Sequence, residues 1–262
     1  MSLEILKNVK VNLPLRMAGQ YLGKYLDLGI SPEIGIDAES MDNMPFEKAE
    51  SIAKHFTPQG KKITMHGPFL DLNIASLDHL IRDISRRRIK QSLDYVDLFM
   101  PESIVFHSGY DARRHGYNSE EWMSLSLDFW TEIAENLSSR GVALHLENVY
   151  ETGPEEIFPV VESVFNAGGG FCFDTGHCHS FGNGKMTDWL ESLGDFIKEI
   201  HLHDNDGNND LHLPPGAGNI NFNFLLSFLS ERDFLPVITL EPHTEGDLYP
   251  ALEWLELNNV FK

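Results

Sequence analysis

The sequence predicts an α/β protein built as a single (β/α)8 TIM barrel. Short apolar segments alternate with longer amphipathic segments eight times along the chain. Strictly alternating strands and helices indicate a parallel sheet, and eight such units indicate that the sheet closes on itself. The length of 262 residues agrees, since barrels of this kind typically have about 250 residues. We expect one domain over residues 1–262, because no repeat, low-complexity tract or linker interrupts the pattern.

Each predicted strand is a short apolar run bounded by turn residues. In chain order the predicted strands are Asn8–Leu13, Pro32–Asp37, Lys62–His66, Ser103–His107, Val142–Glu147, Gly170–Asp174, Ile197–His203 and Pro236–Glu241. An open, doubly wound parallel sheet is the alternative arrangement. That alternative lacks support, because no GxGxxG motif follows the first strand.

The segments between the strands have the periodicity of amphipathic helices. The predicted helices are Tyr21–Leu28, Pro45–Lys54, Leu77–Phe99, Glu120–Ser139, Pro154–Asn166, Thr187–Phe196, Phe222–Glu231 and Tyr249–Leu257. Gly29 and Gly141 directly follow helices, where a left-handed backbone conformation is common. Pro154 stands in the first turn of its predicted helix, where the missing N–H of proline costs no hydrogen bond. Pro159 lies further inside the same predicted helix, so the residue at which this helix starts stays open.

Composition and charge limit the possible partners. The chain has 20 basic and 40 acidic residues, and its net charge of −20 repels nucleic-acid phosphate at long range. This disfavours nucleic acid as a partner, although a local basic groove or bound metal could offset the charge. No apolar run approaches the roughly 20 residues of a membrane helix, so we expect no membrane partner. The first residues lack a signal-peptide pattern, and we expect a cytoplasmic protein.

Six consecutive predicted strands end in a residue that binds divalent metals well. In a parallel barrel these ends converge on one rim, where catalytic residues lie. Each residue alone has a structural explanation, such as a capped turn or a hydrogen-bonded core histidine. Six such residues at the ends of six consecutive strands favour a single metal centre. Its predicted ligands are His66, His107, Glu147, Asp174, His201 and Glu241.

Three further candidate ligands lie just beyond strand ends. His177 follows Asp174 by three residues, and Asp210 and His212 stand two apart in the loop that follows the seventh strand. A polar surface loop is an equally good explanation of that loop taken alone. Nitrogen and oxygen ligands without thiolates suit Zn, Mn, Fe or Co better than Mg.

The ordered series of motifs resembles the xylose isomerase-like TIM-barrel superfamily, which contains endonuclease IV (AP endonuclease family 2) and the sugar phosphate isomerases and epimerases. The resemblance covers most of the chain, from about Pro32 to Pro242. The matching segments are HGPFLDLNIAS from His66, VFHSG, LEN, FDTGHCHSFG from Asp174, HLHDND, DLHLPPGAGNINF from Asp210 and LEPH. No single motif is specific for this superfamily, but the order of the motifs along the chain is.

The two branches of that superfamily imply different metal centres. The endonuclease IV branch implies nine ligands for three zinc ions, and all nine matching positions are filled here. The first ion would take His66, His107 and Glu147; the second would share Glu147 and add Asp174, His201 and Glu241; the third would take His177, Asp210 and His212. The epimerase branch implies one ion held by Glu147, Asp174, His201 and Glu241, with the two glutamates as the acid/base pair.

Departures from each branch decide the predicted function. The segment after Asp37, AESMDNMP, is acidic and lacks arginine where endonuclease IV carries residues that enter the duplex, and NVYETG replaces the AGxG signature after Glu147. The epimerase branch has an arginine after the strand-seven histidine, where this chain has Gly207–Asn209. We predict a divalent-metal-dependent isomerase or epimerase of a sugar or sugar phosphate, with Zn or Mn as cofactor and one to three ions.

In the predicted reaction Glu147 and Glu241 transfer a proton next to a carbonyl through a metal-stabilised enediolate. The alternative is an endonuclease IV-like trinuclear-zinc phosphodiesterase acting on abasic DNA, or a related metal-dependent hydrolase. A metal-binding or sensing protein without turnover is a third possibility, which the paired glutamates argue against.

Other residues near the strand ends are weaker candidates. Arg113 and Arg114, with His115, form the only basic cluster near the rim and are predicted to bind substrate, with a solvated loop as the alternative. His179 is predicted to contact substrate or to orient a ligand. A ligand-orienting role is also predicted for His203, Asp204 and Asn148, and an inward-facing role for His145.

Overall fold

The computed structural model describes residues 3–56, 62–182 and 185–261. Eight parallel strands form a closed barrel in chain order, and the last strand pairs with the first. The predicted α/β barrel is therefore confirmed. The strands are β1 Lys10–Pro14, β2 Ser31–Gly35, β3 Thr64–His66, β4 Ser103–His107, β5 Ala143–Glu147, β6 Gly170–Asp174, β7 Ile197–Leu202 and β8 Val237–Leu240.

A helix precedes β1, and at least one helix follows each strand. The helices are α1 Leu3–Asn8, α2 Ala18–Leu28, α3 Ala38–Asn43, α4 Phe46–Phe56, α5 His79–Phe99, α6 Ala112–His115, α7 Ser119–Ser139, α8 Phe158–Asn166, α9 Thr175–Ser180, α10 Met186–Leu193, α11 Asn223–Ser230 and α12 Glu245–Leu257. Among the described residues, no helix is both long and apolar enough to cross a membrane.

The core lies between the strands and the surrounding helices. Ile104, Val105 and Phe106 of β4 are fully buried in succession, as expected for a strand covered on both faces. Directly after β3, Gly67 allows close contact with the next strand, because a Cβ atom there would lie 1.9 Å from Cε1 of Phe106. Trp130 of α7 donates a hydrogen bond from Nε1 to the Ser108 carbonyl at 3.1 Å. These contacts hold the chain just beyond His66 and His107.

Several local predictions were wrong at the ends of elements. Asn8 ends helix α1 rather than starting a strand, and α12 starts at Glu245, four residues before the predicted start. The acidic segment after Asp37 is helix α3, capped by the Asp37 carboxylate, which accepts the Ser40 N–H at 2.7 Å. A short 3-10 turn ends before α8, so Pro159 stands in a first turn, where proline is tolerated.

Candidate metal centre

The nine predicted ligands all lie at the carboxyl-terminal rim of the barrel. Strands β3, β4, β5 and β6 end in His66, His107, Glu147 and Asp174, while His201 lies near the end of β7 and Glu241 directly follows β8. Because every strand runs in the same direction, residues distant in sequence meet here. Among the described residues, ligand atoms within 4.8 Å of one another define five groups. Three contain predicted ligands alone, and these are His66–His107–Glu147, Glu147–Asp174–His201 and His177–Asp210–His212; the other two are His203–His212–Glu241 and Glu33–His201–Glu241.

The first group is formed by two histidines facing one oxygen of Glu147. The distances to Glu147 Oε2 are 3.0 Å from His66 Nε2 and 3.3 Å from His107 Nε2. His66 Nδ1 lies 2.8 Å from the carbonyl oxygen of Gly67, to which only a protonated Nδ1 can donate. This hydrogen bond leaves the Nε2 lone pair free to bind a metal ion.

The second group surrounds Nδ1 of His201. Three carboxylate oxygens face this nitrogen, at 3.4 Å from Glu147, 3.6 Å from Glu241 and 3.8 Å from Asp174. The nitrogen is buried and has no hydrogen-bond partner within the described structure. A buried polar atom is costly unless it is bonded, and converging carboxylates repel each other without a cation. A divalent ion fits this donor set.

The third group joins the loop after β7 to helix α9. Nε2 of His177 and Nε2 of His212 lie 3.3 Å and 3.0 Å from Oδ2 of Asp210. The Nδ1 atoms of the two rings lie 3.0 Å from the Asn148 carbonyl oxygen and 3.1 Å from the Glu241 carbonyl oxygen. As at His66, a backbone carbonyl that holds one ring nitrogen directs the other toward the ligand group.

A buried carboxylate organises the loop that supplies Asp210 and His212. Asp204 is fully buried, and its two oxygens accept four backbone N–H groups, from Asn205 at 2.9 Å, Gly216 at 2.9 Å, Gly218 at 3.0 Å and Ile220 at 3.0 Å. His212 has a φ of 49°, which is unusual for a residue with a side chain. Such backbone strain persists only where surrounding contacts enforce it, and it is common at functional sites.

The charges of the rim are mutually stabilising. Burial opposes the ionised form of Glu147, but the imidazoles of His201 and His177 outweigh it and hold its pKa well below the ordinary value. Burial lowers the pKa of His107 to about 3, which leaves its imidazole neutral, as metal binding requires. Burial also opposes protonation of His212, yet the neighbouring Asp210 and Glu241 raise its pKa to about 9. The carboxylates therefore attract cations, either protons on imidazoles or metal ions.

His203 lies closer to the ligands than its predicted accessory role suggested. Its Nε2 lies 3.1 Å from Oδ2 of Asp174, and its ring stacks on His212 with centroids 3.9 Å apart. On the other side His212 stacks on His243 at 4.2 Å. The stack holds the ring of His212 from both faces, which supports a ligand-orienting role for His203.

Two fully buried carboxylates inside the barrel strands were missed in the sequence. Glu33 of β2 lies with its Oε2 3.3 Å from His201 Nε2. Glu199 of β7 lies with its Oε2 2.8 Å from His145 Nδ1 and accepts hydrogen bonds from two hydroxyls, those of Ser103 and Thr239. The sequence signal that could have identified them is the acidic residue within each short strand. A strand covered on both faces has no position exposed to solvent, so an acidic residue in it must be buried.

The predicted substrate-binding residues lie outside the ligand groups. Arg113 and Arg114 are on helix α6 rather than in a loop, and Arg114 Nε lies 3.3 Å from Asp111 Oδ2. His115, grouped with them in the sequence, is buried, and its Nδ1 accepts the Asp111 N–H at 3.0 Å. His179 is close to the centre in sequence, and its Nε2 lies 2.5 Å from Oδ1 of Asn219. A substrate-binding role for Arg113, Arg114 and His179 stays a prediction.

Curated relatives include proteins described as uncharacterized and proteins described as probable endonuclease 4. The chain is 30% identical over 202 residues to uncharacterized protein MJ1311 of Methanocaldococcus jannaschii, covering 74% of this chain and 69% of that protein. It is 24% identical over 202 residues to the probable endonuclease 4 of Mycobacterium ulcerans, covering 71% of this chain and 76% of that protein.

Solved structures with the same fold cover nearly the whole chain. The TTHB071 protein from Thermus thermophilus, soaked with ZnCl2, superposes with a TM-score of 0.83 at 27% identity, covering 96% of this chain and 97% of that one. A D-tagatose 3-epimerase-like protein superposes with a TM-score of 0.81 at 24% identity and the same coverage of both chains. The profile of the family described as xylose isomerase-like TIM barrel matches residues 33–258. The chain therefore belongs to the xylose isomerase-like TIM-barrel family.

Proposed function

We propose that this protein is a divalent-metal-dependent isomerase or epimerase of a small sugar or sugar phosphate. The observation that carries the proposal is the convergence of Glu147 and Glu241, from β5 and from the end of β8, on the unpartnered Nδ1 of His201. Two carboxylates beside one metal position provide both a base and an acid for proton transfer. The D-tagatose 3-epimerase-like protein of the same fold supports this substrate class.

We propose Zn or Mn as the cofactor, held by the eight residues of the three groups together with Glu241. Bound there, a divalent ion would act as a Lewis acid toward the negative charge that develops on a substrate oxygen. Glu147 is almost fully buried and is held by imidazoles from three directions. Glu241 is more open, with a side-chain exposure of 13%. Glu241 therefore reaches a substrate carbon more easily, while Glu147 orients the substrate hydroxyl groups and moves the second proton.

Hydrogen exchange tests this proposal directly. Metal-loaded protein is incubated in deuterated water with a panel of ketoses and ketose phosphates, and deuterium at the carbon next to the carbonyl is measured by NMR. We expect metal-dependent exchange, which Glu147→Gln and Glu241→Gln each reduce by a factor of about 10² or more. Glu253→Gln, an exposed glutamate on α12, is the matched control and should keep full exchange. Exchange that persists in both site variants would contradict the proposal.

Abasic-DNA phosphodiesterase activity is the second candidate function. It is favoured by the three complete ligand groups and by the endonuclease 4 relatives. The pairing of Arg16, which lies beside the acidic helix α3, argues against this function. Arg16 is already paired with Asp37 and lies 3.8 Å from Glu39, so its charge is offset by neighbouring carboxylates. Duplex DNA carries about one charge per 1.7 Å, and binding it requires several free cationic side chains. We expect no incision of abasic-site duplex at physiological salt, and efficient metal-dependent incision would replace the isomerase proposal.

A further inference from the structure

We propose that Glu33 is a positioning residue that orients His201 for metal binding. Its carboxylate would accept the Nε2–H of His201 and so direct the Nδ1 lone pair at the ion. The inference rests on the proposed metal centre and is independent of the reaction that the centre performs. No site residue was predicted on β2 from the sequence, and this assignment extends the site to that strand.

The surroundings of Glu33 leave it few partners other than His201. Both side chains are fully buried, and Oε2 of Glu33 lies 3.3 Å from Nε2 of His201. The second oxygen, Oε1, accepts a long hydrogen bond from Nδ2 of Asn12 at 3.4 Å. A carboxylate removed from water in this way is destabilising unless a partner compensates its charge. His201, which would carry part of the charge of a bound ion, is such a partner.

The two ring nitrogens of His201 have different environments. Nε2 faces Glu33, whereas Nδ1 faces oxygens of Glu147, Asp174 and Glu241 and has no hydrogen bond within the described structure. A neutral imidazole has one N–H donor and one lone pair, and the partner of the donor decides which nitrogen keeps the lone pair. With the proton on Nε2, the lone pair of Nδ1 points at three carboxylates, and a cation between them completes the arrangement.

His201 differs from other predicted ligands in the type of group that holds it. His66 and His212 each have one ring nitrogen near a backbone carbonyl oxygen. Nδ1 of His177 lies 3.0 Å from the Asn148 carbonyl oxygen and also 3.0 Å from Oε1 of Glu147. His201 has a carboxylate in that place. A carboxylate strengthens the hydrogen bond and makes the ligating nitrogen more basic, and loss of such a partner typically weakens metal binding about 10- to 100-fold.

A direct ligand role for Glu33 is the competing assignment. Ligand atoms of Glu33, His201 and Glu241 lie within 4.8 Å of one another, so an ion could in principle bind to all three. Two substitutions distinguish the roles. A glutamine at position 33 still accepts the Nε2–H hydrogen bond but is a poor ligand, whereas an alanine removes both functions.

Zinc affinity, measured by chelator competition, tests the assignment without any substrate. We expect Glu33→Ala to weaken zinc binding about 10- to 100-fold and Glu33→Gln to weaken it less. Glu199→Gln is the matched control, because Glu199 is another fully buried carboxylate paired with a histidine, yet its partner His145 is not a predicted ligand. The control should bind zinc as wild type does. Circular dichroism and thermal unfolding without zinc establish that each variant is folded.

The proton position on His201 gives an independent readout. In ¹⁵N-histidine NMR of the zinc-loaded protein, we expect a protonated Nε2 and a metal-bound Nδ1 for the signal that His201→Gln removes. A proton on Nδ1, a Glu33→Gln variant as weak as Glu33→Ala, or unchanged affinity in both would overturn the assignment. If Glu33→Ala does not fold, equal affinities of Glu33→Gln and Glu199→Gln would overturn it. A wild-type protein that binds no zinc would instead overturn the proposed metal centre, and this inference with it.

Discussion

Replacing the Asp204 carboxylate by an amide should destabilise the whole loop that carries Asp210 and His212. Asp204 accepts four backbone N–H groups, two on each oxygen. In Asp204→Asn one oxygen keeps two of these bonds, while the new NH2 group faces two N–H donors and can accept nothing. Each lost bond to a charged group contributes about 1.5–3 kcal/mol. We therefore expect a loss of about 3 kcal/mol or more in the free energy of unfolding.

The assay for this prediction is urea unfolding of the zinc-free protein, followed by fluorescence. Asp206→Asn is the matched control, because Asp206 lies in the same loop and its Oδ1 accepts the N–H groups of Asn208 at 2.9 Å and Asn209 at 3.0 Å, but it is exposed. That substitution should cost less than about 1 kcal/mol. Equal effects of the two substitutions would refute the view that Asp204 organises the loop.

The remaining predictions concern the metal, pH and substrate charge. Glu147→Ala removes a carboxylate shared by two ligand groups, so the zinc retained after dialysis should fall below the wild-type content by elemental analysis, and an unchanged content would contradict this. Burial raises the pKa of Glu151 to about 7, so this carboxyl group binds an extra proton in the folded protein between about pH 4.5 and 7, and the contribution of Glu151 to the free energy of unfolding should fall by about 3 kcal/mol as pH rises across that window. Urea unfolding at several pH values should show a smaller fall in Glu151→Gln, and an identical fall would contradict this. The double variant Arg113→Ala, Arg114→Ala should raise KM for a phosphorylated substrate more than for its unphosphorylated analogue, and equal effects would argue against a phosphate-binding role.

Element type was predictable where local pattern and burial agree. Strands β4 and β6 were predicted with the bounds that the structure shows, because both are continuous apolar runs that end in a predicted metal ligand. Helices α3 and α6 were not predicted, since each is short and polar and is stabilised by a capping carboxylate, from Asp37 and Asp111, rather than by an apolar stripe. Such helices have too few residues to produce a readable periodicity.

The sequence by itself determined the barrel and the rim where the predicted ligands lie, because parallel strands bring all their carboxyl ends to one place. Each predicted ligand at a strand end, from His66 to Glu241, could be found in this way. Only the tertiary structure decided which atoms meet. The pairing of Glu33 with His201 joins residues 168 positions apart, and Asp204 acts through backbone groups up to 16 residues away. Neither contact leaves a local pattern, since the direction of a buried side chain depends on the packing of all the strands around it.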